Sequence, residues 1–248
     1  MIRKEKYVGE IFQSANSGKI KVLEYKSAHV VKYMFLDSGC VQMGSIYNIK
    51  SGKVRDKSLA TVQGVGVFGN KILSSENDKK KYELWVGILQ RCCDKRSLLK
   101  RPTYDGCSIS ENFKSFEYFS QWCDNQIGFG VKDFQLDKDI LSVLNKIYSE
   151  HTCVFIPREI NMFFVINKKH RGNYPIGVSY CKRSCKFKST YSGGGEKYIS
   201  IHEDEWSAFL AYKRVKEARA KDLAEKWKHS IDKRVYDKLM SYKVLLTD

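Results

Sequence analysis

Eight cysteines, at positions 40, 92, 93, 107, 123, 153, 181 and 185, are the first residues whose type and spacing could do chemistry. Thiolates hold zinc when close pairs of them, or a pair with two histidines, can complete a tetrahedron. No Cys-x-x-Cys occurs, and the one close pair, Cys181-x-x-x-Cys185, has only His170 and His202 as near ligands, so no structural zinc centre is read here. Cys123 and Cys153 sit among apolar residues and read as small core side chains. A second candidate is Gly64-x-Gly66-x-x-Gly69, the pattern of a dinucleotide site, which needs a helix opening on its glycines. Ser74 to Lys81 is polar and loop-like, so no long helix is expected, and the glycines are assigned to a tight strand crossing. The compact polar stretch Phe134 to Asn161 is where catalysis is expected. Its one histidine, His151, has a side chain type that transfers protons near neutrality, and it also reads as an exposed loop residue.

Charge narrows the choice of partner. Lys and Arg number 44 against 28 Asp and Glu, a net charge of +16, which points to a polyanion. With 42% hydrophobic and 13% aromatic residues the chain can bury cores, so the charge lies on folded surfaces. The longest apolar run, Met162 to Ile166, is far short of the ~20 residues that span a bilayer. The start, Met-Ile-Arg-Lys-Glu-Lys-Tyr, lacks the apolar stretch of a secretory signal, so no membrane association and a reducing compartment are expected.

The elements that must position these residues read as an α+β chain. Residues 1–72 alternate β-type segments (7–12, 19–25, 30–35, 40–49, 60–68) with turns and predict a small β-barrel-like domain, a twisted barrel or a curled sheet. Tyr82, Trp85, Val86, Leu89 and Gln90 form a helical stripe flanked by lysines and arginines; Phe113, Phe116, Phe119, Trp122 and Cys123 form another, read as core. Further on, short strands fit 178–181, 186–191 and 198–201, a long helix fits 203–228, and 231–248 is left as a tail. Between 168 and 248 Lys and Arg number 19 and Asp and Glu 10, so more than half the net charge falls in the last third.

Residues 79–166 carry ordered motifs: Tyr82-Glu83-Leu84-Trp85, Pro102-Thr103-Tyr104-Asp105-Gly106-Cys107, Leu136-Asp137-Lys138-Asp139-Ile140, Asn145-Lys146-Ile147-Tyr148 and Thr152-Cys153-Val154-Phe155-Ile156-Pro157-Arg158-Glu159-Ile160-Asn161. Together they resemble bacteriophage HNH homing-endonuclease-like proteins. Residues 174–230, with Gly177-Val178-Ser179-Tyr180, Lys186-Phe187-Lys188, Glu205, Ala208, Ala211-Tyr212 and Lys216, resemble more loosely the ethylene-response-factor-type DNA-binding domain that such proteins carry behind the nuclease. The resemblance implies a central ββα-metal domain with flanking helices and a C-terminal three-stranded sheet plus helix. It implies Asp137 and Asn161 as ligands of Mg²⁺, with Mn²⁺ as the alternative, and Asn145 as the residue that holds the hairpin or orients the base.

The sequence departs from the family at the base. Where the family has Asp-His this chain has Asp137-Lys138, and a lysine amine is protonated at neutral pH. Lys138 would then stabilise phosphate charge and leave Asp139, Tyr148 or His151 to assist water. Asp137 and Asp139 also read as solvated turn carboxylates. On the sheet, Tyr180, Lys182, Arg183, Lys186, Lys188 and Tyr191 are expected to face double-stranded DNA, with Arg183 reading a base and the lysines holding phosphates. The function expected is metal-dependent DNA cleavage in the cytoplasm of an infected bacterium. Two other classes stay open: a DNA-binding protein that has lost cleavage, and a structural or host-inhibitory phage protein.

Overall fold

Alternation along residues 19–35 puts Ile20, Val22, Val31, Tyr33 and Phe35 on one face, and all five are buried. In the computed structural model, which describes residues 7–69, 71, 73–142, 146–165 and 173–248, they belong to an antiparallel sheet in the order β1 (Ile11–Gln13), β2 (Lys19–Ser27), β3 (Val30–Phe35), β4 (Val41–Gly44). The sheet is open, and the described residues contain no closed barrel, which corrects the barrel-like expectation. The cause lies in 40–49, read as one strand. Ser45 caps a helical turn, its side chain accepting from Tyr47 N, and α1 (Ile46–Lys50) lays Ile46 and Ile49 over the apolar face.

The chain divides into two compact units, 1–121 and 122–248. In the first, β5 (Ala60–Val62) and β6 (Gly66–Val67) make a hairpin, and α2 (Glu76–Cys93) follows. Ser74 to Lys81 is therefore mostly helix. The missed signal is a capping box: Ser75 Oγ accepts from Asp78 N while Asp78 accepts from Ser75 N. A long helix does follow the glycines, but it opens beyond them after an antiparallel hairpin, so the dinucleotide reading still lacks its βαβ unit. Gly66 has a packing reason, since a Cβ there would sit 2.5 Å from Leu89 Cδ1 and 2.9 Å from the Trp85 ring. After α3 (Lys95–Lys100), β7 (Ser108–Ile109) and α4 (Glu111–Lys114), α5 (Phe116–Asp124) carries the chain across the division between the units. Phe113, Phe116 and Phe119 are wholly buried and are core.

The second unit contains β8 (Phe134–Asp137), β9 (Ile147–Tyr148), β10 (Val154–Pro157) and α6 (Arg158–Phe164). An antiparallel sheet follows, β11 (Val178–Cys181), β12 (Lys186–Gly193) and β13 (Glu196–His202), then α7 (Glu205–Trp227) and α8 (Lys233–Met240). Asp204 caps α7 by accepting from Ser207 N. The first half of α7 buries Phe209 and Tyr212 with Tyr191 of the sheet. Its second half buries Ala220, Leu223 and Ala224 with Val154 and Ile156 of β10 and Ile160 of α6. One helix thus serves two cores. Residues 231–248, expected as a tail, form α8 and a closing segment, with Val235, Leu239 and Val244 all buried.

Ser189 Oγ lies buried without a hydrogen-bond partner among the described residues, on the face of β12 that Tyr191 shares. An unmatched buried hydroxyl costs roughly 1–3 kcal/mol. Ser189→Ala is therefore expected to raise stability by about 1 kcal/mol in urea unfolding; a lower midpoint for the variant would show that the hydroxyl is bonded after all.

Candidate functional site

β8 and β10 pair with Asp137 opposite Val154 and Phe134 opposite Pro157, and α6 starts directly after Pro157. Ile160 and Phe163 turn one side of α6 into the core. Asn161 Nδ2 donates to Gln135 Oε1 at 2.8 Å, which ties the helix to β8 and leaves the amide carbonyl oxygen for a ligand. Asp137 ends β8, and its Oδ1 accepts from the backbone N–H of Asp139 at 2.9 Å and of Ile140 at 2.8 Å, fixing the turn that follows. Its Oδ2 has no hydrogen-bond partner among the described residues. Burial pushes the Asp137 carboxyl above its ordinary range, against the pull of those two N–H groups.

Asp137, Asp139 and Asn161 line one cavity of about 550 Å³. Among the described residues no three or more His, Cys, Asp or Glu side chains gather into a metal-holding group. A hard divalent cation does not require one. Mg²⁺ keeps several waters and takes one or two carboxylates beside phosphate oxygens, so a carboxylate and an amide carbonyl in a cavity open to substrate suit it. A partly buried carboxylate with a spare oxygen also gains most from a cation beside it.

Of the other expected catalytic residues, the described Lys138 and His151 do not line this cavity. Lys138 is buried, forms an ion pair with Asp139, and holds its Nζ 5.5 Å from the Tyr148 ring centre. It lies outside the residues lining the cavity, where it was expected to stabilise phosphate charge. His151 is exposed in the turn that Ser149 and Thr152 fold, and is likewise not in the cavity lining. Asn145 lies outside the described residues. Asp139 alone of the proposed bases lines the cavity, with its carboxylate mostly exposed.

The cavity has a wall that the sequence reading missed. Lys238 of α8 and the following Tyr242, Lys243 and Asp248 line it together with Asp137 and Asp139. The signal was present as Ile231, Val235 and Leu239, an apolar row at helical spacing, but nothing in the row says where it docks.

The sheet register sorts the expected DNA contacts. Val178, Ser189 and Tyr191 face α7, so Tyr180, two residues from Val178, shares that side. Tyr191 is 7% exposed and packs against Tyr212, which corrects its placement on the DNA face. Tyr180 is partly exposed but stacks among Tyr174 and Phe187 at the end of the same side, and it too leaves the outward face. Lys186 and Lys188 point outward with Ser179, Thr190, Ile199 and Ile201, and Lys186 pairs with Glu203 at 2.5 Å. Lys182 and Arg183 are exposed at the turn joining β11 to β12. Cys181 shares the outward side while His202, bonded to Ser200, lies on the other, so those two do not converge; His170 lies outside the described residues.

No helix of the described residues is long and apolar enough to cross a membrane. No protein-family model matches the chain, and no curated protein and no solved structure matches it.

Proposed function

We propose that the protein is a divalent-metal-dependent DNA endonuclease of the phage HNH homing type, acting in the cytoplasm of the infected host and holding duplex DNA on the β11–β13 sheet. The observation that carries this reading is the convergence of Asp137 and Asn161, from a strand and from the helix after its partner strand, on one cavity. Asp137 Oδ2 and the Asn161 carbonyl would hold Mg²⁺ or Mn²⁺, which when bound neutralises charge on the scissile phosphate and its leaving oxygen.

Asp139 is the residue placed to take a proton from water, with Lys138 holding its carboxylate by the ion pair. The water oxygen bonds to phosphorus, its proton passes to Asp139, and the phosphorus bond to one sugar oxygen breaks. That oxygen takes a proton from solvent, and Asp139, mostly exposed, returns its own to solvent.

The test is conversion of supercoiled plasmid to nicked or linear DNA with Mg²⁺ or Mn²⁺, beside an EDTA control. A second reading, DNA binding without cleavage, is favoured by one observation: the position of the family's base holds a lysine withdrawn from the cavity. Salt-dependent binding with no conversion under either metal would select it.

The turn between β11 and β12 offers a separate test. Arg183→Ala is expected to cost about 1–3 kcal/mol at a preferred sequence and to flatten preference at one position. Equal weakening on all duplexes, read in competition titrations at fixed salt, would make Arg183 a phosphate contact instead.

A further inference from the structure

Lysines on a surface normally face water or a carboxylate, and α8 departs from this in one place. Val235 and Leu239 anchor the helix in the core that also holds Ile156 and Ile160, the residues behind β10 and α6. That anchoring fixes the rotation of α8, and the rotation puts Lys238 in the wall of the cavity containing Asp137, Asp139 and Asn161. Lys233, earlier on the helix, pairs with Asp237 at 2.7 Å, and Lys243, after it, lies 3.5 Å from Glu217. Lys238 has no carboxylate within ion-pair distance among the described residues.

An ammonium in the wall of a cavity that Asp137, Asp139 and Asp248 also line has a plain chemical use. The carboxylates suit a cation, the cation and the ammonium together suit an anion, and the anion that fits between them is a phosphate carrying charge on its non-bridging oxygens. We infer that Lys238 is a phosphate-binding residue of this cavity, brought there by α8 to hold a non-bridging oxygen of the phosphodiester, while Asp137 and Asn161 would hold the metal. It supplies the positive charge that the sequence led one to expect from Lys138, whose amine is instead ion-paired with Asp139. This inference rests on the nuclease reading for the identity of the phosphate as a backbone phosphodiester, and on the cavity alone for phosphate binding.

The experiment has two arms. In the first, wild type, Lys238→Ala and Lys238→Arg are compared on plasmid with Mg²⁺, and their DNA affinity is measured with Ca²⁺. The expected result is a loss of about 100-fold in kcat for Lys238→Ala, substantial recovery in Lys238→Arg, and DNA affinity within about threefold of wild type, since one charge in the cavity adds little to binding over the sheet. Full cleavage by Lys238→Ala would overturn the inference and leave the nuclease reading intact. In the second arm, inorganic phosphate is the probe and the melting temperature the readout. Phosphate is expected to stabilise wild type and Lys238→Arg but not Lys238→Ala. If wild type cleaves nothing under any metal, the nuclease reading fails, and this arm alone decides: a phosphate effect lost in Lys238→Ala upholds the site, and an equal effect in both proteins removes it.

Discussion

Replacing Asp137 by alanine is expected to lower Mg²⁺-dependent nicking at least about 1,000-fold, because the cavity then loses the carboxylate that would hold a divalent cation together with Asn161. The alanine also removes the acceptor for the N–H groups of Asp139 and Ile140 and loosens the turn that carries Asp139. Asp137→Asn separates the two effects, since an amide oxygen can accept both N–H groups while the charge is gone. Its nicking should be as poor as that of the alanine variant, with the fold kept. Burial raises the Asp137 carboxyl above its ordinary range, so its ionised form is disfavoured by folding. Its favourable contribution is present at low pH and is lost as the pH rises through the folded value. Without metal at pH 7, Asp137→Asn should thus melt no lower than wild type, and the difference should shrink in acid. Mg²⁺ should raise the melting temperature of wild type and leave that of Asp137→Asn unchanged. Cleavage surviving in both variants with normal melting would falsify the assigned metal site.

Glu159 carries the second large effect, on stability rather than chemistry. It stands in the first turn of α6, accepts from Arg219 Nη2 at 2.8 Å through one oxygen, and from Lys226 Nζ at 2.5 Å and Trp227 Nε1 at 3.1 Å through the other. All three donors are on α7, so this carboxylate joins the helix that bears Asn161 to the helix that backs the sheet. Its loss leaves the Arg219 guanidinium, 15% exposed, with only the longer pair to Glu196 at 3.9 Å. Removing one partner of a buried pair costs 3–5 kcal/mol, and partial exposure here reduces that to about 2–3 kcal/mol for Glu159→Ala. Burial alone would push the Glu159 carboxyl up; the hydrogen bonds from Lys226 and Trp227 and the charges of Lys226 and Arg219 outweigh it and hold the carboxyl below its ordinary range. The contribution is therefore present above about pH 4.5, the unfolded range, and is lost as pH falls through the lower folded value. Urea unfolding of wild type and Glu159→Ala should differ by that amount at pH 7 and converge as the pH falls below the ordinary glutamate range. A constant difference across the range would assign the effect to packing instead of charge.

Local pattern made most of the second unit legible. The strand at 178–181 is observed over those same residues, and the long helix expected at 203–228 runs Glu205–Trp227, because alternation, turn glycines and an acidic cap act within a few residues of each other. The same reasoning failed at Ser75, where a capping box in a polar stretch looked like a loop, and at Ser45, where one serine turned an expected strand into a helix covering the sheet. Tyr191 failed for another reason: a tyrosine suits a buried position as well as a DNA surface, and only the register with Val178 and Tyr212 across the sheet shows which.

By itself the sequence determined the charge and the α+β elements, since these depend on residue types and short spacings, while Asp137 and Asn161 came as candidates only through the family resemblance. Tertiary structure decided which of those candidates meet. It withdrew Lys138 and His151 from the cavity, kept Asp139, and added Lys238 from a segment read as a tail. It also gave α7 two cores, so the expected separate domains share one helix. Such pairings join residues about 100 positions apart, as Asp137 and Lys238 are, and they follow from how apolar faces pack, which no local spacing encodes.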